Sequence, residues 1–379
     1  MPSESSKLPL IDLAAQRRRL APRIEAAIAR VLDHGQFVLG PEVEALELAL
    51  SQRVGVRHAI ACASGTDALL LALLARGIGP GDAVFVPAFT FAASAEAVAL
   101  ARATPVLVDV DADFGIDPAS LCEAIAAISR EGALRPRAVV AVDLFGQPAR
   151  YESILPIARE HGLFVLQDAA QSFGASWEGQ PVGRQGDAAA LSFYPSKPLG
   201  AYGDGGAVLT DDDALALRVR SLARHGLGRA GEHGRVGLNS RLDTIQAAIL
   251  LAKLPSLDQE RAARAAIAKR YADGLEGLVG VPRPRENVEH AWSYYTVLAR
   301  RRDALAQGLA TYGIASAVYY GKPLHRQPAY AGFPRARALP VAEALAGSVI
   351  SLPMHADLAQ DDQARIIDAI SALVDKKGG

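Results

Sequence analysis

The stretch Ala188–Val208, AAALSFYPSKPLGAYGDGGAV, constrains the chain most. Its apolar start, Ala188 to Phe193, reads as a short buried strand, and the Pro and Gly residues after it cannot continue a strand or a helix cleanly. Lys197 is therefore expected on an irregular loop between Pro195 and Pro198, with Gly200, Gly203, Gly205 and Gly206 beyond it. Such a loop brings its backbone close to a bound group, and a lysine shielded from water loses part of its preference for the charged form. An amine of lowered pKa is a Schiff-base nucleophile. Taken alone, a lysine is far more often a solvated surface charge, so Lys197 gains meaning only from its company.

Upstream, the apolar run Leu163 to Gln167 ends in Asp168. An acid at the carboxyl end of a buried strand lies where α/β sheets bind ligands, although aspartate there equally caps a following helix. The strand-like run His58 to Ala63 leads into Ser64, Gly65 and Thr66 before a helical run from Asp67. A glycine and hydroxyls at a helix start suit a phosphate. Lysine, acid and anion cradle together are what an enzyme using pyridoxal 5'-phosphate requires.

Six ordered segments resemble the DegT/DnrJ/EryC1/StrS sugar aminotransferases: Gly35–Glu47, Ala63–Leu69, Pro87–Ala93, Gln167–Ala175, Ser192–Ala207 and Gly237–Leu250. The resemblance runs from about Leu10 to the last helix. It implies the α/β fold type I of pyridoxal phosphate-dependent transferases, with a mainly parallel sheet covered by helices and a smaller C-terminal α+β domain. It implies that Lys197 carries the cofactor covalently and moves protons, while Asp168 holds the pyridine nitrogen protonated. Gly65, Thr66 and Ser192 match phosphate ligands, Phe89 a stacking aromatic, and Gln171 a ring contact. Asn239 matches an asparagine that reaches the cofactor of the other subunit, so a homodimer with shared active sites is implied. Arg241 matches a sugar contact.

Within the family, Pro195–Ala207 and Gly237–Leu250 resemble the enzymes that aminate UDP-2-acetamido-2-deoxy-3-keto-glucuronic acid, which implies that acceptor, with L-glutamate as donor, for surface polysaccharides. Where that subgroup has His-Tyr-Pro, this chain has Tyr319, Tyr320 and Gly321, followed by Lys322, Pro323, Leu324 and His325. Tyr319, Tyr320 and His325 are candidates for a hydroxylated, anionic ligand. A dTDP-linked 3-keto- or 4-keto-6-deoxyhexose is the alternative substrate. A sugar dehydratase would carry histidine in place of Lys197, and a non-catalytic regulatory module would lack the lysine or the acid.

With 379 residues the chain is long for one compact domain. Two are expected, a large cofactor-binding domain over 1–255 and a small one over 256–379. A net charge of −1 gives no electrostatic case for nucleic acid or an anionic membrane surface. Two cysteines, Cys62 and Cys122, have no metal-ligand spacing, and no stretch is apolar and long enough to span a bilayer. A soluble cytoplasmic protein without a metal site is expected.

Strands are expected at Ala83–Val86, Pro105–Val110, Ala138–Val142 and Leu163–Gln167, alternating with helices near Phe91–Ala101, Ser120–Ile128 and Ser153–His161. An early helix is expected from about Pro22 to Asp33, a second over Glu42–Val54, and a long one from Thr244 to about Leu278. The C-terminal part should hold strands at Trp292–Leu298 and Val349–Leu352 and helices at Asp303–Tyr312 and Ala359–Val374. The segment Arg224–Arg241, with five glycines, four arginines and two histidines, reads either as a mobile surface loop or as a basic loop that closes on a nucleotide diphosphate.

Overall fold

A computed structural model describes residues 7–228, 231–335 and 337–375. The chain opens with helices α1 (Leu13–His34) and α2 (Pro41–Val54). A βα alternation follows: β1 (His58–Cys62), α3 (Gly65–Arg76), β2 (Asp82–Pro87), α4 (Ala93–Leu100), β3 (Thr104–Val108), α5 (Pro118–Glu131), β4 (Arg135–Val142), α6 (Tyr151–Glu160) and β5 (Phe164–Asp168). The short strands β6 (Ser176–Trp177) and β7 (Gln180–Pro181) precede β8 (Ala188–Ser192), β9 (Gly206–Thr210) and α7 (Asp213–Leu222). The rest comprises α8 (Thr244–Lys253), α9 (Leu257–Leu275), β10 (Val288–Glu289), β11 (Tyr295–Leu298), α10 (Arg302–Thr311), α11 (Pro340–Ser348), β12 (Val349–Leu352) and α12 (Gln360–Asp375).

Seven strands form one sheet in the order β1-β9-β8-β5-β4-β2-β3. β3, β2, β4, β5 and β8 run parallel, while β9 is antiparallel to both of its neighbours. Alternate side chains along each strand enter different cores. Val84 and Val86 join one apolar cluster and Ala83 and Phe85 another, so both faces are covered, as a parallel sheet requires. The expected α/β architecture is the one observed. β11 and β12 form a separate antiparallel pair whose core packs against α9, α10 and α12 and takes in Leu8 from the start of the chain.

Two helix boundaries differ from the sequence reading. α1 begins at Leu13, not near Pro22, because the Asp12 carboxylate accepts the N–H of Ala15 at 2.8 Å and caps it there. Pro22 forfeits one rung inside the helix, but the buried stripe Leu20, Ile24, Ala27 and Val31 holds the turn on either side. The long helix after Thr244 is divided by a 3₁₀ turn at Leu254–Ser256 containing Pro255, and the second part stops at Leu275. Among the described residues no helix is long and apolar enough to cross a membrane.

Candidate active site

The carboxyl ends of the central strands supply the site. β5 ends in Asp168, β8 ends in Ser192, and β1 leads through Ser64 into α3. All open onto one cavity of about 490 Å³, which is lined by Lys197, Asp168, Gly65, Thr66, Ser192 and Gln171, and by Tyr319 and Tyr320 from the C-terminal segment. This is the usual ligand position in open α/β sheets.

The lysine loop is held by its own backbone and by a second lysine. Lys197 N–H donates to Tyr194 O at 2.8 Å, and Ala201 N–H to Phe193 O at 2.7 Å. The buried Lys253 of α8 donates from Nζ to Gly200 O at 2.7 Å and lies over the Tyr202 ring. Burial lowers the Lys197 pKa, opposed by the negative charge of Asp168. Burial thus works against the charged form of this amine.

Asp168 is buried, and desolvation raises its pKa against the Ser94 hydroxyl, the Ala170 N–H and the charge of Lys197, which favour the anion. Ser94 Oγ donates to Oδ2 at 2.8 Å and Ala170 N–H to Oδ1 at 3.2 Å. One strand over, the fully buried Asp143 accepts from Ala149 N, Tyr151 OH, Gln167 Nε2 and Ser172 Oγ at 2.7 to 2.8 Å. Desolvation raises its pKa to about 6 against these four donors. The nest ties the start of the loop after β4 to the turn that follows Asp168.

Ser64 caps α3 by accepting the Asp67 N–H at 3.0 Å, leaving Gly65 and Thr66 in the first turn beside Ser192. Gln171 lies in a turn and is buried; its Oε1 accepts Phe145 N–H at 2.7 Å and its Nε2 donates to Tyr320 OH at 3.3 Å. It therefore presents a fixed amide towards the cavity.

Two site expectations are corrected. Phe89 is completely buried and packs among core residues, with Phe114 and Tyr320 each 6.1 Å away between ring centroids, so it presents no face to the cavity. From the same turn it is Phe91, two residues on and 56% exposed, that lines the cavity. His325 is also buried, in a 3₁₀ turn outside the cavity lining, and its Nε2 pairs with Glu343 Oε1 at 2.9 Å. Its neighbours in sequence reach the cavity because the chain turns between Tyr320 and Leu324.

Asn239 is exposed and Arg241 half-buried, and neither lines this cavity. The segment around them is partly paired, through bridges Arg224 to Asn239 and Leu227 to His233, while Arg229 and Ala230 lie outside the described residues. Sequence reasoning passed over Phe91, Ser94, Tyr194 and Tyr294. Phe91 and Ser94 follow from the same turn as Phe89, but Tyr294 comes from a distant segment and gave no local signal.

The residues present fit pyridoxal phosphate. A buried anion at a strand end suits a protonated ring nitrogen, a shielded amine faces the same space, and a helix start with hydroxyls suits the phosphate.

A model of the DegT/DnrJ/EryC1/StrS aminotransferase family matches residues 19–371. The chain is 46% identical to UDP-2-acetamido-2-deoxy-3-oxo-D-glucuronate aminotransferase of Pseudomonas aeruginosa, over 91% of this chain and 94% of that one. It is 42% identical to dTDP-3-amino-3,4,6-trideoxy-alpha-D-glucose transaminase of Streptomyces venezuelae, over 97% and 96%. A crystal structure of a DegT/DnrJ/EryC1/StrS aminotransferase from Brucella abortus superposes with a TM-score of 0.95 at 49% identity, covering 97% of this chain and 99% of that one. Matching family model, shared fold and a cavity fitted to the cofactor lead to one conclusion: the chain belongs to the DegT/DnrJ/EryC1/StrS aminotransferase family, whose members are pyridoxal phosphate enzymes.

Proposed function

We propose that the protein transfers the amino group of L-glutamate to the keto carbon of a nucleotide-linked sugar, with UDP-2-acetamido-2-deoxy-3-keto-glucuronic acid as the favoured acceptor. The observation that carries this reading is the single cavity shared by Lys197, Asp168 and the first turn of α3. The similarity to the Pseudomonas aeruginosa enzyme supports the acceptor.

When bound, pyridoxal phosphate supplies an electron sink that stabilises negative charge on the carbon losing its proton. Lys197 would hold the cofactor through Nζ, and the same amine is placed to take and return that proton. Asp168 would accept a hydrogen bond from the protonated ring nitrogen and hold that proton in place. Gly65, Thr66 and Ser192 would hold the phosphate, with Gln171 and Phe91 lining the space for the ring. Tyr319 and Tyr320, with Tyr294 beside them, offer phenols to the sugar.

Among the described residues lining the cavity, Lys197 is the only lysine or arginine. A nucleotide diphosphate and a carboxylate need further cations. This supports a homodimer in which Asn239 and Arg241 of one copy complete the site of the other. We place the enzyme in the cytoplasm, on a route to surface polysaccharides.

The replacement of His-Tyr-Pro by Tyr319, Tyr320 and Gly321, together with the Streptomyces venezuelae relative, favours a second reading, amination of a dTDP-linked keto-deoxyhexose. Supplying the loaded enzyme with L-glutamate and a panel of UDP- and dTDP-linked keto sugars, and following amino-sugar formation by mass spectrometry, separates the two. Preferred turnover of the UDP-linked 3-keto uronate supports the first. Turnover of dTDP sugars alone replaces it with the second.

A further inference from the structure

Asp168 is the acid that would hold the cofactor's ring nitrogen protonated, and its two oxygens are held differently. Oδ1 accepts the N–H of Ala170 at 3.2 Å, from its own turn, whereas Oδ2 accepts the hydroxyl of Ser94 at 2.8 Å, from α4. Ser94 is 1% exposed, and its Oγ also lies 3.3 Å from Oγ1 of Thr90. A hydroxyl carries one proton, and a carboxylate is the stronger acceptor, so Ser94 donates to Asp168 and accepts from Thr90. Thr90 precedes Phe91, and both line the cavity. One short chain of hydroxyls therefore joins the acid at the end of β5 to the turn that carries the exposed aromatic ring.

We propose that Ser94 is a positioning residue for transamination: its hydroxyl fixes the Asp168 carboxylate, stabilises its charge, and leaves the remaining lone pairs to accept from a protonated ring nitrogen. The inference rests on pyridoxal phosphate being the cofactor. Desolvation works against the Asp168 anion, and the Ser94 hydrogen bond is the largest influence opposing it. The other ionisable groups around Asp168 are Lys197 on the loop after β8, Tyr320 in the C-terminal segment and Tyr151 at the start of α6. The carboxyl of Asp143, just past the end of the neighbouring strand β4, is taken up by its own four donors.

The test compares Ser94→Ala, Ser94→Thr and Ser94→Cys for cofactor affinity, for the pH dependence of the bound cofactor's absorption, and for kcat and KM. A hydrogen bond to a charged group contributes about 1.5–3 kcal/mol, so Ser94→Ala should lower kcat by roughly ten- to a hundredfold and weaken cofactor binding by about tenfold. The KM for glutamate should change little. Losing a donor to the anion raises the Asp168 pKa, so the acid limb of the absorption and kcat profiles should move to higher pH. Ser94→Thr, which keeps the hydroxyl, should restore both, and Ser94→Cys, a weaker donor, should fall between. Should Ser94→Ala fail to fold, the Thr and Cys variants still rank donor strength against the same pH profile. Wild-type affinity and an unmoved acid limb in Ser94→Ala, or Thr and Cys variants alike, would overturn the proposal. A wild-type protein that binds no pyridoxal phosphate would instead remove the cofactor reading on which it stands.

Discussion

A β-carbon placed on Gly65 would lie 2.6 Å from the Cβ of Ser192. The first turn of α3 and the end of β8 are thus packed backbone to side chain, and this contact sets the distance between the helix start and the lysine loop. Gly65→Ala must push the two apart. It should cost about 1–3 kcal/mol in stability, as overpacking does, and weaken cofactor binding by at least tenfold. Thermal unfolding of the cofactor-free protein and a titration with pyridoxal phosphate separate the two effects.

The roles proposed for Lys197 and Asp168 differ, and their variants should fail differently. Lys197→Ala should abolish turnover, since no other lysine or arginine among the described residues lines the cavity. Asp168→Ala should still form the covalent link but lose several orders of magnitude in kcat, because the ring nitrogen loses its electrostatic partner. Mass spectrometry after borohydride reduction reads the link, and steady-state kinetics read the rate. Near-normal turnover in either variant contradicts its assigned role.

The two phenylalanines of the Pro87–Ala93 turn should divide stability from binding. Phe89→Ala removes a fully buried ring and should cost roughly 3–5 kcal/mol. Phe91→Ala removes an exposed one, so unfolding should change by less than about 1 kcal/mol while cofactor affinity falls. Paired urea unfolding and cofactor titrations provide the check.

His290 should make the protein acid-sensitive. It is buried, stacks on Trp292 at 4.0 Å and accepts that residue's N–H at Nδ1, and burial lowers its pKa to about 3, with Arg264 adding to the effect. The folded state then binds fewer protons than the unfolded state between about pH 3 and 6.5, so stability rises with pH across that window. Its contribution is complete above pH 6.5 and is lost as pH falls, by about 3 kcal/mol at pH 4. His290→Gln should flatten this limb in urea unfolding between pH 4 and 7. An unchanged slope would assign the acid sensitivity to other groups.

Much of the architecture was legible because each central strand is an apolar run between helices of regular period. β6, β7 and β10 were not, since two residues cannot show a period. α11 was missed because it passes into β12 without a turn residue between Ser348 and Val349. In the site, Asp168, Lys197, Gly65 and Thr66 stood out from a strand end, a Pro- and Gly-rich loop and a helix start, whereas Ser192 and Gln171 came only from the family resemblance; all six line the one cavity. Phe89 and Phe91 could not be told apart, since sequence does not show where β2 gives way to the turn. His325 was misplaced because nearness to Tyr320 along the chain is not nearness to the cavity.

The proposed chemistry begins with the first half of a transamination in this cavity. The most direct test is the visible absorption spectrum of the purified protein loaded with pyridoxal phosphate, before and after adding L-glutamate. The band of the lysine-linked cofactor should disappear and that of the aminated cofactor replace it, with 2-oxoglutarate released. A bound cofactor whose spectrum is indifferent to glutamate and to other amino donors would contradict it.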